Sequence, residues 1–196
     1  MAINLQKGQR ISLKKEAPNL TRLMCGLGWD VAKKSGGWFS SSPSFDLDSF
    51  VICLEENQKL TNKSDIVYFG NLRHSSGAIT HLGDNLTGDG YGDDEQIIVD
   101  LPKVPDRLDK LLFIVNIYDS KKRKQELSQV NNAFVRLVDL TTNKEIARYQ
   151  LSGNQYQNKN GLILGEVYRH NGEWKMAAIG DAFDAQGIGE IAQRYL

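Results

Sequence analysis

The chain has 196 residues, with 24 Lys+Arg balanced by 24 Asp+Glu and a formal net charge of zero. Hydrophobic residues make up 40 % and charged residues 24 %, as in a globular chain able to bury a core without disulfide or metal staples. The balance excludes a nucleic-acid binder driven by bulk charge and an acidic disordered protein, and two cysteines are too few for a disulfide framework.

The opening Met-Ala-Ile-Asn-Leu-Gln-Lys-Gly lacks the apolar stretch of a secretory signal. The longest apolar run, Leu111 to Val115, is far short of a membrane span, so no transmembrane segment is expected. Without a metal spacing or an export signal, Cys25 and Cys53 read as small buried hydrophobes and the cytoplasm as the compartment. Gly26-Leu27-Gly28 begins a dinucleotide-like pattern, but Val31 stands where it needs a glycine and no helix follows. Ser35 to Ser44 reads as a surface loop.

Phe50–Leu54, Ile66–Phe69, Gln96–Val99, Leu111–Tyr118 and Ala133–Val138 are β-branched and aromatic runs of strand length. Between them, Lys121 to Val130 is expected to form a short polar helix, whose Lys121–Lys124 run is a solvated face. Thr142-Asn143-Lys144 marks a turn before a strand at Ile146 to Leu151. Asn171-Gly172 joins Leu164–Arg169 to Trp174–Ile179 in a hairpin, because Asn-Gly accepts the positive φ that matches strand twist. Ile188 to Tyr195 reads as a terminal helix. About nine or ten strands at this spacing give an all-β fold, an antiparallel two-sheet β-sandwich with a few short helices. His74, His81 and His170 lack ligand spacing and read as turn or surface histidines; Trp29, Trp38 and Trp174 read as packing or loop anchors.

One segment carries chemistry. Gly83 to Glu95 holds five acids, Asp84, Asp89, Asp93, Asp94 and Glu95, with four glycines and no base. Carboxylates this close repel and resist ionisation, and a hard divalent cation removes the conflict. Calcium takes six to eight oxygens from carboxylates, amides, backbone carbonyls and water. The absence of interspersed His or Cys disfavours zinc and copper. Asp46-Leu47-Asp48 forms a second prong, since side chains two apart in an extended segment point the same way, and Asp30 follows Gly26-Leu27-Gly28-Trp29. These three clusters are expected to converge at one end of the sandwich, where loops gather. The spacing is not that of an EF-hand, since Leu86 or Tyr91 falls at its third position. On residues alone, the segment is either a metal site or a solvated acidic loop.

Together these pieces resemble the TerD family of tellurium-resistance and stress-response proteins. The likeness runs from Leu5-Gln6-Lys7-Gly8 past Trp174. It is carried by Gly26-Leu27-Gly28-Trp29-Asp30, Phe45-Asp46-Leu47-Asp48, Val67 to Leu72, Gly83-Asp84-Asn85-Leu86-Thr87-Gly88 with Gly92-Asp93-Asp94-Glu95, Asn132 to Leu137 and Gly172-Glu173-Trp174-Lys175. The resemblance implies one TerD-like domain over residues 1–196 that binds Ca2+. By motif, Asp46 and Asp48 match the family's prong, and Asp84, Asn85, Asp93, Asp94 and Glu95 its loop, with Asp89 beside them. Asp30 matches its Gly-Trp-Asp turn, and Leu86, Gly88 and Gly90 offer backbone carbonyls. Tyr91 departs from the small or acidic residue common there, Leu127 replaces a common aromatic, and Ser35 to Ser44 is longer than usual.

The resemblance also implies protein partners in a stress-response assembly near the inner face of the membrane; the charge balance argues against a nucleic-acid partner. The expected function is non-catalytic, with calcium stabilising a recognition face. The alternatives are a metal-dependent phosphoester hydrolase, with Arg73 a candidate electrophile, or a cyclic-nucleotide-binding module.

Overall fold

The computed structural model describes residues 2–31, 45–83, 93–151 and 156–196. Segment 35–44 and Trp38 therefore lie outside the described residues. In chain order come β1 (Ile3–Asn4), β2 (Arg10–Ser12), α1 (Leu13–Glu16), β3 (Arg22–Val31), β4 (Leu47–Glu55), β5 (Ile66–Val67), β6 (Ile79–His81) and β7 (Glu95–Asp100). There follow β8 (Leu108–Ile117), α2 (Ser120–Arg123), β9 (Val130–Asp139), β10 (Lys144–Leu151), β11 (Gly161–His170), β12 (Glu173–Phe183) and α3 (Ile188–Gln193). The strands form two sheets, β1-β10-β9-β3-β7-β6 and β2-β12-β11-β8-β4-β5. Every pairing is antiparallel except β1 with β10. The all-β sandwich read from the sequence is the fold.

Alternation builds the main core. Leu23, Cys25, Leu27 and Trp29 of β3 face Val51 and Cys53 of β4 and Leu111, Phe113 and Val115 of β8 in one cluster. On β7 the same period buries Glu95, Ile97 and Val99 and leaves the residues between them half-exposed. Strand β4 is buried on both faces because α3 covers the second sheet from outside. Phe50, Ile52 and Leu54 join Leu112, Ile114 and Phe183 there, against Ile191 and Ala192. Burying Ile191 alone contributes about 2 kcal/mol. Both cysteines are buried, and burial pushes their thiols well above the ordinary range, so neither is a reactive thiolate.

Several expectations change. Strand β3, central in its sheet, was not among the expected strands because Gly26 and Gly28 weaken its β signal. The Asp93 carboxylate lies where a Cβ on Gly26 would be, 2.3–2.5 Å away, so this glycine makes room for a neighbouring side chain. The Lys121 to Val130 helix is one turn, α2, closed by Lys124 at φ 53. A 3-10 turn over Leu127–Gln129 then leads into β9. The Ile66–Phe69 run stops pairing with β4 after Val67, since the chain turns back with Asn71 N–H donating to the Tyr68 carbonyl at 2.8 Å. The Asn171-Gly172 hairpin forms as expected, with φ of 52 and 75. No helix among the described residues is long and apolar enough to cross a membrane.

Candidate metal centre

The described flanks of the acidic segment are tied to both sheets. Gly83 N–H donates to His81 Nδ1 at 3.1 Å. Asp94 N–H donates to the Leu27 carbonyl at 2.8 Å, and Trp29 N–H donates to Asp94 Oδ2 at 2.9 Å. Ser49 N–H donates to Glu95 Oε2 at 2.5 Å, so a first-sheet carboxylate holds an amide of β4 in the second. Asp93 turns away to Arg136, which donates from Nε at 2.7 Å and Nη2 at 2.9 Å. The three consecutive acids thus have three separate partners. Among the described residues no three His, Cys, Asp or Glu side chains are grouped to hold a metal. Asp84, Asn85, Leu86, Gly88, Asp89, Gly90 and Tyr91 lie outside the described residues, as does the Asp30 side chain; the Asp30 backbone pairs with Asn131 of β9.

The Asp46-Leu47-Asp48 prong sits elsewhere. Leu47 and Val51 point into the core, so Asp48, of opposite parity, points to the outer face of the second sheet with Phe50. Asp48 pairs with Asn116 of β8, and Tyr118 N–H donates to the Asp46 carbonyl at 2.8 Å, carrying the register onward. Asp46, Asp48 and Asn116 are 7 %, 4 % and 7 % exposed. Arg123 of α2 approaches Asp46 at 3.5 Å, the outer limit of a hydrogen bond. The Asn116 Oδ1 atom is buried and has no hydrogen-bond partner among the described residues. The polar groups here, the Asp46 and Asp48 carboxylates and the Asn116 amide oxygen, offer only oxygen donors, the chemistry of a hard cation and not of a soft one. Asn116 was missed in the sequence because it lies 68 residues beyond Asp48 and becomes its neighbour only through the β4–β8 register.

Two of the three histidines are not surface residues. His81 and His74 are each 2 % exposed. His81 accepts at Nδ1 from Gly83, so its Nε2–H donates to Ser49, 3.1 Å from the carbonyl and 3.2 Å from the hydroxyl; Glu95 Oε2 lies 3.7 Å away. Burial pushes the Glu95 carboxyl up, against the hydrogen bonds from His81 and Ser49. The expected resistance to ionisation thus arises at Glu95 from desolvation.

His74 accepts at Nδ1 from Ser76 N–H and donates from Nε2 to Asp65 at 2.9 Å. Arg107 clamps the same carboxylate with two bonds of 2.7 Å. Burial alone would raise the Asp65 pKa, but the bonds from Arg107 and His74 hold it below the usual carboxylate range. Ser76, His74 and Asp65 are the residue types of a hydrolytic triad. Here Ser76 Oγ accepts from Ala78 N–H at 3.1 Å inside a tight turn, and the line pins the hairpin before β6 to the sheet. Arg73 is exposed on that hairpin, opposite Thr80. Trp29 is core, Trp174 lies under Arg169 at 4.5 Å, and His170 is exposed at the β11–β12 turn.

The TerD domain matches residues 1–195. Stress response protein SCP2 of Bacillus subtilis (strain 168) is 48 % identical over 201 residues, covering 100 % of both chains. Tellurium resistance protein TerD of Serratia marcescens is 40 % identical over 195 residues, covering 100 % of this chain and 97 % of that one. Among solved structures, SAV2460, described as a protein of unknown function, superposes with a TM-score of 0.71 at 20 % identity, over 88 % of this chain and 95 % of its own. At that identity the likeness speaks for the fold alone.

Proposed function

Since the chain belongs to the TerD family, whose members include named stress-response and tellurium-resistance proteins, we propose that it is a calcium-binding, non-catalytic stress-response protein. It acts by calcium-dependent binding of protein partners, in the cytoplasm and in an assembly near the inner membrane face. The observation that carries the reading is the Asn116 side-chain amide oxygen, buried without a donor among the described residues, on the residue paired with Asp48 across the ladder. A buried polar atom left unsatisfied costs about 1–3 kcal/mol, and a cation held by Asp46, Asp48 and Asn116 recovers it.

Asp46 and Asp48 supply charge to that group, and Asn116 a neutral oxygen. The family resemblance implies a second group of ligands, apart from this one: the Asp30, Asp84, Asp89, Asp93, Asp94 and Glu95 carboxylates, the Asn85 amide and the Leu86, Gly88 and Gly90 carbonyls. His81, Ser49, Leu27 and Trp29 hold the described flanks of the acidic segment in place. A bound calcium supplies positive charge that removes carboxylate repulsion at this end of the sandwich, so a partner meets an ordered face instead of a self-repelling one.

A calcium titration by calorimetry on chelator-stripped protein, with magnesium as control and a thermal melt alongside, tests the reading. Saturable heat and a raised melting temperature are expected, with about 2.7 kcal/mol of added stability at a hundredfold excess over Kd. Neither heat nor a shift overturns it.

A further inference from the structure

The outer face of the second sheet is covered by α3 on one half only. The other half is a cleft of about 690 Å3. Its floor is a row of directly paired residues on four adjacent strands: Lys110 of β8, Tyr168 of β11, Lys175 of β12 and Ser12 of β2. Arg10, one pleat along β2, lies on the same face, since Ile11 and Leu13 between and beyond point into the core. At about 4.8 Å per strand the row spans about 15 Å.

The cleft gathers five Lys and Arg side chains against three carboxylates, in a chain with no net charge. Two of the cations are occupied. Lys110 pairs with Glu166 at 2.8 Å, and Arg169 donates to the Val104 and Leu108 carbonyls and lies over Trp174. The remaining three are Arg10, Lys15 and Lys175. Among the described residues Arg10 and Lys15 enter no ion pair. Glu173, two residues before Lys175, is bridged by Lys14 at 3.2 Å and accepts from the Ser12 hydroxyl at 3.5 Å. The other two carboxylates of the cleft, Glu16 and Asp109, belong to α1 and β8. On β11 the cleft is separated from the Asp48–Asn116 cluster by the run from Gly161 to Tyr168, about 20 Å of strand.

The geometry points to a binding site for a small phosphate ester, its dianionic phosphate held between Arg10, Lys15 and Lys175, with Tyr168 offering a hydroxyl. Three cations at one locus exceed the charge of a single carboxylate and suit a phosphate, whose oxygens take a guanidinium fork and ammonium donors together. The site is independent of the calcium reading.

Amide chemical-shift titration of the full chain with glycerol 3-phosphate, in the presence of a calcium chelator and with glycerol as control, tests it. Saturable shifts confined to Ser12, Tyr168, Lys175 and their neighbours are expected with the phosphate and none with glycerol. The double variant Arg10→Gln, Lys175→Gln is expected to weaken binding at least about tenfold, while Lys121→Gln, Lys122→Gln leaves it unchanged. A flat titration, shifts centred on α2, or a response indifferent to the Arg10 and Lys175 changes overturns the site. Capture by phosphatidylcholine–phosphatidic acid vesicles without binding of glycerol 3-phosphate overturns it in favour of a membrane surface.

Discussion

Two buried polar clusters in this sandwich are built in opposite ways. Around Asp65 the fold supplies every partner: a guanidinium on both oxygens at 2.7 Å, an imidazole N–H at 2.9 Å, and a serine turn behind the imidazole. Around Asp48 the polar groups are buried as well, Arg123 reaches Asp46 at 3.5 Å, and the Asn116 side-chain oxygen has no donor among the described residues. A cluster satisfied by its own protein stabilises the fold and offers nothing to a ligand. A cluster that keeps a desolvated oxygen spends stability that only an added group recovers.

Mutation should therefore separate the clusters. The largest effect is expected at the first. Asp65→Ala leaves Arg107 and His74 facing a vacated buried site and should cost about 3 kcal/mol, read as a lower denaturation midpoint. A loss under about 1 kcal/mol would erase the contrast.

Acid should act on the same side of the comparison. The carboxyls of Asp65 and Asp139 titrate below their ordinary value because, although burial raises both, hydrogen bonds win: from Arg107 and His74 at Asp65, from Thr142 and Thr141 at Asp139. A depressed folded pKa contributes stability that is full above the unfolded value and is lost as pH falls through the folded one. Melting temperature should thus hold from neutrality down to about pH 4 and then drop, and Asp65→Asn should flatten the drop. A melting curve that falls equally steeply in that variant assigns the acid sensitivity elsewhere.

A smaller effect is expected at Gly26, whose missing side chain gives the Asp93–Arg136 pair its space. Gly26→Ala should cost about 1–2 kcal/mol, and Asp93→Ala should suppress most of that penalty in a double-mutant cycle. The smallest stability effect belongs to the second cluster. Asn116→Leu removes an orphaned polar atom at similar volume, so stability without metal should stay within about 1 kcal/mol of wild type, while calcium affinity falls about tenfold. Asp48→Asn should weaken calcium binding in the same assay. Unchanged affinity in both variants removes this cluster from the ligand set.

Much was legible in the sequence, for identifiable reasons. Runs such as Leu111 to Val115 and the alternation of β7 report burial directly, because a strand repeats its environment every second residue. Asn171-Gly172 specifies its turn through backbone sterics confined to two residues. The ordered motifs from Gly26 to Trp174 carried the family. Strand β3 was hidden because glycine blurs strand propensity wherever a neighbour needs its space, here the Asp93 carboxylate. The pairs that decide the chemistry are distant in sequence: Asp65 meets Arg107, Ser49 meets Glu95, and Asp48 meets Asn116. Local pattern determines which residues are strand and which face of a strand is dry. Which acid meets a cation, an amide or an orphaned oxygen is set by strand order and register, which place residues dozens of positions apart within hydrogen-bond reach.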